Sequence, residues 1–591
     1  MLWSVDNFKG LHQGTLELAP GTLTALTGAN SSGKSSLIQS VLLAAQSAQA
    51  EGPLILNGPL TRLGEAVDLV RSGARSTRIR LQIPREIPVG WEEVMGDDFE
   101  EDGYLKVEVE LKANQQTEQM GFHSVRIYDS SQPDYPLVLS KESRRKSDLE
   151  LIFAKEDRLR VDALHVKSTL GSSQRALRTY VLFSGLQPVS VYQIRKSDDI
   201  ESEYRRELTA LVKARAKKID ISAQEDASIN MSNYSAQREV RRLLRELVGS
   251  EGFNETQELL EVDGFGVSFN ALSHLVSVDA DSQAKIIGRL SEIRSRRPYK
   301  MLRLRQGRMR KTLMMPWWDA GTLEQALLNN LKSSILALAE YSAALEEFLG
   351  TVNYLGPLRD EPRVVWNQWN EQAHGLPVGA RGEYAAAVLA RMANQRIKYC
   401  GVDGEEKFGP LQDAVDEWIS YLRIGESVEV KDRGKLGVGF ELRVAGGMRD
   451  LTSVGVGVSQ ALPIIVAILA CPRDATFLVE QPELHLHPAV QARLADFMTR
   501  ARPDLSVVVE THSETFITRL RRRVAERELH PEQVRITFVE NFGSGSETRD
   551  LALSKYGDLS EWPDGFMSSE DDDVAAILKA NIRHARMAGQ E

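Results

Sequence analysis

The sequence predicts an α/β protein in which a parallel-rich sheet with antiparallel strands is assembled from the two ends of the chain around a largely helical insertion. Three observations carry this. An apolar stretch, Thr22 to Thr27, runs into a glycine-rich loop and then into a helical segment. Three late runs, Thr476 to Glu480, Ser506 to Glu510 and Val534 to Val539, are apolar and rich in Val, Ile, Leu or Phe, as strands covered on both faces are. Between these ends, Leu105 to Leu111 alternates apolar and polar residues, the pattern of a half-exposed antiparallel strand.

The elements follow in order. Thr15 to Leu18 and Thr22 to Thr27 read as strands, and Lys34 to Ala45 as a helix. Residues from about 75 to 190 read as antiparallel strands, and those from about 200 to 350 as mostly helical. One helix is well defined: Thr322 with Gln325 forms a capping-box pattern. Leu328, Leu331, Ile335, Leu338, Ser342, Leu345 and Leu349 then recur at helical spacing, and Gly350 is a natural stop. That stripe fits a core helix, or else a helical arm or dimer seam. Leu462 to Cys471 is apolar but interrupted by Pro463 and too short for a bilayer, so it reads as a buried helix. Helical stretches between the late strands suit βαβ crossovers. The expected divisions are 1–190 (N-terminal lobe), 191–350 (helical insertion), 351–540 (C-terminal lobe) and 541–591 (a short C-terminal segment).

Composition narrows the function classes. Of 591 residues, 42% are hydrophobic and 26% charged, which excludes a disordered or disulfide-scaffold chain. Lys plus Arg is 73 against 83 Asp plus Glu, a net charge of −10, so any nucleic-acid surface must be a local patch. Cys400 and Cys471 offer no metal-ligand spacing, and so few thiols fit a reducing cytoplasm. The first residues lack an apolar stretch behind a basic region, so neither a secretory signal nor a membrane association is expected.

Gly28-Ala-Asn30-Ser31-Ser32-Gly33-Lys34-Ser35 fits the P-loop pattern G-x-x-x-x-G-K-[ST], with the required strand before it and helix after it. Glycines let the backbone wrap phosphates, and the loop amides and helix N-terminus supply partial positive charge. Lys34 would reach the β- and γ-phosphates, the Ser35 hydroxyl would bind Mg²⁺, and Ser36 continues the loop into the helix. Thr476 to Glu480 is a buried strand ending in a carboxylate, the Walker B arrangement, which places Glu480 at Mg²⁺. Pro488 opens the next helix. His485 and His487 lack partner ligands at helical spacing and read as structural. Val507 to Ser513 is a third strand ending in a polar cluster, in which His512 can contact the γ-phosphate or orient water.

With these motifs in hand, the chain resembles the ABC-type ATPases of the SMC, recombination-repair and OLD group, and more closely the prokaryotic AAA-labelled ATPases of defence islands. The resemblance is carried by Asn7-Phe-Lys9, Gly28 to Ser35, Leu54-Ile-Leu-Asn-Gly58, Leu63-Gly64-x-x-x-Asp68-Leu69-Val70, Tyr354-Leu-Gly-Pro-Leu-Arg359, Val454-Gly-Val-Gly457-x-Ser-Gln460, Glu480 to Pro488, Thr511-His-Ser-Glu514 and Trp562-Pro-x-Gly-Phe566. It implies a P-loop ABC-type head that uses ATP and Mg²⁺ and works as a homodimer or higher oligomer. In such heads a signature segment of one copy closes on the nucleotide of another. Here that segment lies in Leu451 to Gln460, with Ser453, Gly455 and Gly457 as its nucleotide contacts. Asp68 falls at the lid loop as a further metal candidate, and His512 matches the switch histidine.

One departure bears on activity. The second acid expected at the end of Walker B is Gln481 here, and a glutamine orients water but cannot accept its proton. Either hydrolysis is slow or Glu483 serves. The resemblance implies a defence-complex subunit that senses a trigger and controls a separately encoded effector or nuclease. The alternatives are a DNA-repair or chromosome-associated ATPase, and an ATP-binding scaffold with little hydrolysis. OLD-type relatives carry a TOPRIM nuclease after the ATPase, and the roughly 50 residues after Glu540 are too few for one. Lys285 to Lys311 holds eleven Lys or Arg and one acid, 11 − 1 = +10. Arg303, Arg305, Arg308 and Arg310 in it are candidates for contacting DNA or RNA phosphates, against the alternative of a solvated face. Arg519, Arg521, Arg522 and Arg523 read as a basic helix surface.

Overall fold

A computed structural model describes residues 1–49, 53–85, 103–114, 119–130, 136–141, 162–167, 177–195, 229–230, 266–267, 299–303, 322–361, 363, 378–432, 434, 437–543, 545–563 and 576–580. Arg305, Arg308 and Arg310 lie outside the described residues. Of Arg303 only the backbone is described, at the end of a strand.

Among the described residues, one sheet of sixteen strands organises the fold. Its strands are β1 (Leu2–Phe8), β2 (Leu11–Glu17), β3 (Leu23–Gly28), β4 (Thr77–Pro84), β5 (Tyr104–Asn114), β6 (Gln119–Asp129), β7 (Leu137–Ser140) and β8 (Asp162–Lys167). Then come β9 (Leu177–Ser184), β10 (Gln187–Arg195), β11 (Tyr299–Arg303), β12 (Val352–Leu355), β13 (Thr476–Glu480), β14 (Ser506–Glu510), β15 (Val534–Asn541) and β16 (Ser546–Leu551). The order is β11-β10-β9-β8-β7-β6-β5-β4-β1-β2-β16-β15-β3-β14-β13-β12. From β12 to β15 every pairing is parallel. From β2 through β11 every pairing is antiparallel. The sheet therefore joins the two ends of the chain, and the alternating middle region extends it as a meander.

The side-chain period of two sorts the parallel strands onto two cores. Ala25, Phe477, Val479, Val507 and Val509 face one core, and Leu26, Leu478 and Val508 face the other. The first core is filled by helices α3 (Ala385–Met392), α4 (Leu411–Leu422), α5 (Val456–Ala470), α6 (Pro488–Arg500) and α7 (Glu514–Ala525). The second is covered by α1 (Lys34–Gln49) and α2 (Thr322–Thr351). The apolar stretch around Pro463 is indeed a buried helix: α5 hides every residue from Ser459 to Ala470. The described part of the α2 stripe is core as well, while the side chains of Leu328, Leu331 and Ile335 lie outside the described residues. Leu338, Ser342, Leu345 and Leu349 are buried, and the Ser342 hydroxyl donates to Pro188 O at 2.8 Å, tying the helix to the β9–β10 hairpin. The helix runs one residue past Gly350.

The arginines on α7 differ from the expected basic surface. Arg519 and Arg523 turn inward onto Asp496 of α6, which is fully buried, at 2.6 and 2.7 Å. The Tyr421 hydroxyl donates to the same carboxylate at 2.6 Å. Burial pushes the Asp496 carboxyl up, but the hydrogen bonds from Arg523, Arg519 and Tyr421 outweigh it and hold it below the ordinary 3.8. Asp496→Ala leaves two guanidinium groups without their shared partner and should destabilise the protein by about 3 kcal/mol or more in urea denaturation. A depressed acid stabilises the fold above its unfolded value. The wild-type advantage over the variant should therefore be full above pH 3.8 and shrink as pH falls below it.

Candidate nucleotide site

The loop between β3 and α1 is shaped by its glycines. Gly28 has φ +141°, and a Cβ there would meet Val539 O at 2.4 Å. Gly33 has φ +102°, and a Cβ would meet Leu11 at 2.9 Å. Both glycines are thus required by backbone conformation and by space together. Ser31 between them also takes a left-handed conformation, φ +61°. Asn30 and Ser31 are exposed at the loop tip, and the buried Ser32 hydroxyl oxygen has no hydrogen-bond partner. The Lys34 ammonium donates to Gly28 O at 3.0 Å and Ala29 O at 2.7 Å, so it lies across the loop. Burial lowers its pKa, while Glu510 and Glu483 favour its charge. Ser36 follows in the first turn of α1.

Strand register builds the floor of the site. β14 lies between β3 and β13, and Glu480 pairs directly with Glu510 at the ends of β13 and β14. The Ser35 hydroxyl reaches the Glu510 carboxylate at 2.8 and 3.0 Å. Glu480 accepts from the Tyr354 hydroxyl of β12 at 2.7 Å. Both carboxyls are raised, Glu480 by burial and then by the charge of Glu510, Glu510 by burial. Two buried like charges beside a hydroxyl are the donor set a divalent cation satisfies, so Ser35, Glu480 and Glu510 fit Mg²⁺.

Past Glu480 the chain turns sharply. Gln481 has φ +45°, its N–H donates to Glu510 O at 2.7 Å, and its carbonyl accepts from Arg359 Nη1 at 2.9 Å. Glu483 is buried, and one carboxylate oxygen accepts the His512 N–H at 2.7 Å while Oε2 has no partner. Burial raises its pKa. The His512 imidazole is exposed, and its pKa is lowered by partial desolvation and by Lys34. Lys34, Glu483 and His512 thus belong to one electrostatic neighbourhood. His487 caps α6, its Nδ1 accepting the Ala489 N–H at 3.2 Å.

The signature segment forms a short turn, Leu451–Ser453, followed by α5. Ser453 is exposed and held by Asp450, which accepts from its N–H at 3.1 Å and its hydroxyl at 3.2 Å. Ser459 is buried, its hydroxyl spent on Val456 O at 2.7 Å. Exposed Gly455 precedes α5 with no side chain capping the helix start. A Cβ on Gly457 would meet His485 O at 2.7 Å, so the segment packs on the turn after Walker B. Asp68 is exposed on the turn Ala66–Leu69, where its Oδ2 accepts the Glu65 N–H at 3.0 Å. Among the described residues no hydrogen bond or ion pair joins it to Ser35 or Glu480. Its charge acts on Lys9, which donates to Gln39 of α1 at 2.9 Å.

Sequence reasoning about single motifs missed Glu510, Tyr354 and Arg359 as site residues. Glu510 had a signal, since it ends its strand as Glu480 does. Tyr354 and Arg359 flank a Gly-Pro turn 120 or more residues before Walker B, and only the β12–β13 pairing brings them in.

Residues 381–518 match the family described as "AAA domain, putative AbiEii toxin, Type IV TA system". The matched segment contains the signature turn, Walker B and His512, while the P-loop lies outside it. No curated protein matches the chain significantly. Among solved structures, the chain is similar to the Smc head domain with an extended coiled coil from Pyrococcus furiosus, bound there to the C-terminal domain of ScpA. The identity is 12%, covering 93% of this chain and 96% of that one, with a TM-score of 0.31. The SMC head domain from Thermotoga maritima is similar at 9% identity, covering 93% and 98%, with a TM-score of 0.30. Fold and site together define the class: an α/β fold in which a P-loop follows a parallel strand and the carboxylates of Glu480 and Glu510 end the strands beside it.

Lys34→Ala removes a charge from the phosphate loop while leaving both glycines in place. Affinity for a non-hydrolysable ATP analogue should fall by at least ~10-fold in isothermal titration, with the thermal transition little changed.

Proposed function

We propose that the chain binds ATP with Mg²⁺ at this loop and hydrolyses it slowly, as the nucleotide-driven subunit of a prokaryotic defence complex. The observation that carries the ATP reading is the Ser35–Glu510–Glu480 cluster beneath a glycine-formed phosphate loop. The cation, when bound, neutralises charge on the β- and γ-phosphates. Lys34 holds those phosphates, and Ser35, Glu480 and Glu510 hold the cation. Glu483, rather than Gln481, accepts the proton of the attacking water: it is a buried carboxylate with one oxygen free, in the neighbourhood of Lys34. His512 faces the γ-phosphate from the switch segment.

The defence reading is supported by the match to a family described through the AbiEii toxin and a Type IV TA system. In this reading a second copy offers the exposed start of α5, with Ser453, Gly455 and Gly457, to the nucleotide, and closure is relayed to a separately encoded effector. A chromosome-associated ATPase is the second reading, which rests on the resemblance to the SMC group. Among the described residues no helix is long and apolar enough to cross a membrane.

Size-exclusion chromatography of Glu483→Gln with and without ATP and Mg²⁺ tests the closure. A nucleotide-dependent shift to twice the mass is expected, and an unchanged elution volume counts against it. Phosphate release tests the base. Glu483→Gln should lose about 100-fold or more in turnover, and Gln481→Glu should leave it near wild type. A gain in Gln481→Glu without loss in Glu483→Gln would return the role to position 481.

The cation cluster makes a separate prediction with opposite signs. Glu480→Gln and Glu510→Gln each remove one of two repelling buried charges, so the protein without nucleotide should become more stable by about 1 kcal/mol in thermal or urea denaturation. The same variants should lose the Mg²⁺-dependent part of their nucleotide affinity.

A further inference from the structure

Arg359 is the buried cation of the site that the roles above leave unused. It ends the Leu355–Gly356–Pro357–Leu358 turn behind β12 and is only 4% exposed. One nitrogen, Nη1, donates to Pro357 O at 3.0 Å and to Gln481 O at 2.9 Å. Its other donors, Nε and Nη2, are buried and have no partner. The acid acting most strongly on it is Glu483, whose Oε2 is likewise buried and without a partner. Yet no direct ion pair joins the two among the described residues. Buried charged groups left half-satisfied are expensive, so the free edge of Arg359 and the free oxygen of Glu483 each call for a polar group of the working complex. Both groups belong to the turn that leaves Walker B, Arg359 through its bond to Gln481 O and Glu483 by its place in the chain, and Glu480 also acts on the guanidinium.

We propose that Arg359 is a catalytic arginine supplied from within the chain, and that its free edge and the free oxygen of Glu483 together hold the water that attacks the γ-phosphate. This rests on the reading of Glu483 as the base. The water oxygen accepts from Arg359 and donates to Glu483 Oε2. A water needs two or more such partners to be fixed in a buried site, and here it has a donor on one side and an acceptor on the other. As the remaining lone pair of the water forms the bond to γ-phosphorus, a water proton passes to Glu483 Oε2. The bond from γ-phosphorus to the bridging oxygen breaks, and its electron pair leaves on ADP. Arg359 stays charged throughout and steadies the negative charge gathering on the transferred group. Through Nη1 it also fixes the left-handed turn at Gln481 that brings Glu483 to this place.

The test compares binding of ADP with binding of ADP plus aluminium fluoride, both with Mg²⁺, in wild type, Arg359→Gln, Arg359→Lys, Arg359→Ala and Glu483→Gln. The aluminium fluoride complex places a water where the attacking one stands, so the experiment reads the site whether or not turnover is fast. Arg359→Gln should bind ADP within about threefold of wild type but lose about 100-fold in the extra affinity for the fluoride complex. Arg359→Lys should not restore it, because an ammonium lacks the forked donor edge. Added guanidinium should partly restore it in Arg359→Ala. A purely structural arginine predicts instead that ADP and the fluoride complex weaken together, that thermal stability falls with them and that guanidinium does nothing; that result overturns the proposal. Glu483→Gln separates the two readings. If it keeps the full preference for the fluoride complex, the base assignment fails and the water bridge with it. If it loses the preference while Arg359→Gln keeps it, the base assignment stands and the arginine proposal alone fails.

Discussion

The site depends on two buried carboxylates held side by side. Glu480 and Glu510 are paired in register at the ends of adjacent parallel strands, and Ser35 of the P-loop closes over them. Repulsion between buried like charges opposes folding, so this arrangement persists only because the surrounding core fixes the register. The strands that bear the acids are buried along their whole length, with Phe477 and Val479, Val507 and Val509 locked into one core and Leu478 and Val508 into the other. A slip of one residue would exchange the two faces, so hydrophobic sorting and placement of the acids are one constraint.

The same constraint explains why neighbouring segments converge. β12 packs on β13 and delivers the Tyr354 hydroxyl to Glu480 and Arg359 to the turn beyond. The N–H of Gln481 is taken by the backbone of Glu510, and that of His512 by Glu483, so the Walker B turn and the switch segment are stitched together. The signature turn rests on the same turn through the close approach of Gly457 to His485 O. The Walker B turn, the switch segment and the start of α5 are therefore packed as one unit.

Much of this was legible in the residues. The strands Thr476–Glu480 and Ser506–Glu510 are where their apolar runs place them, because strands covered on both faces have a strong signal and sharp polar ends. The glycines at 28 and 33 sit at left-handed or crowded positions, as their spacing implies. The long stripe from Leu338 to Leu349 is buried as its period predicts. The orientation of Arg519 and Arg523 was not legible. Four arginines on one helix look like surface until Asp496, on a different helix, is known to lie beneath two of them.

The sequence by itself determined the α/β class, the phosphate loop, the Walker B strand and the strand bearing His512, since each is written in contiguous residues whose period and end groups carry the signal. Only the tertiary structure decided which carboxylates stand side by side, that Ser459 is spent inside its own helix while Ser453 faces outward, and that Arg359 joins a turn 122 residues further along the chain. These are facts about strand order and register, and hydrophobic burial sets register through contacts among segments hundreds of residues apart.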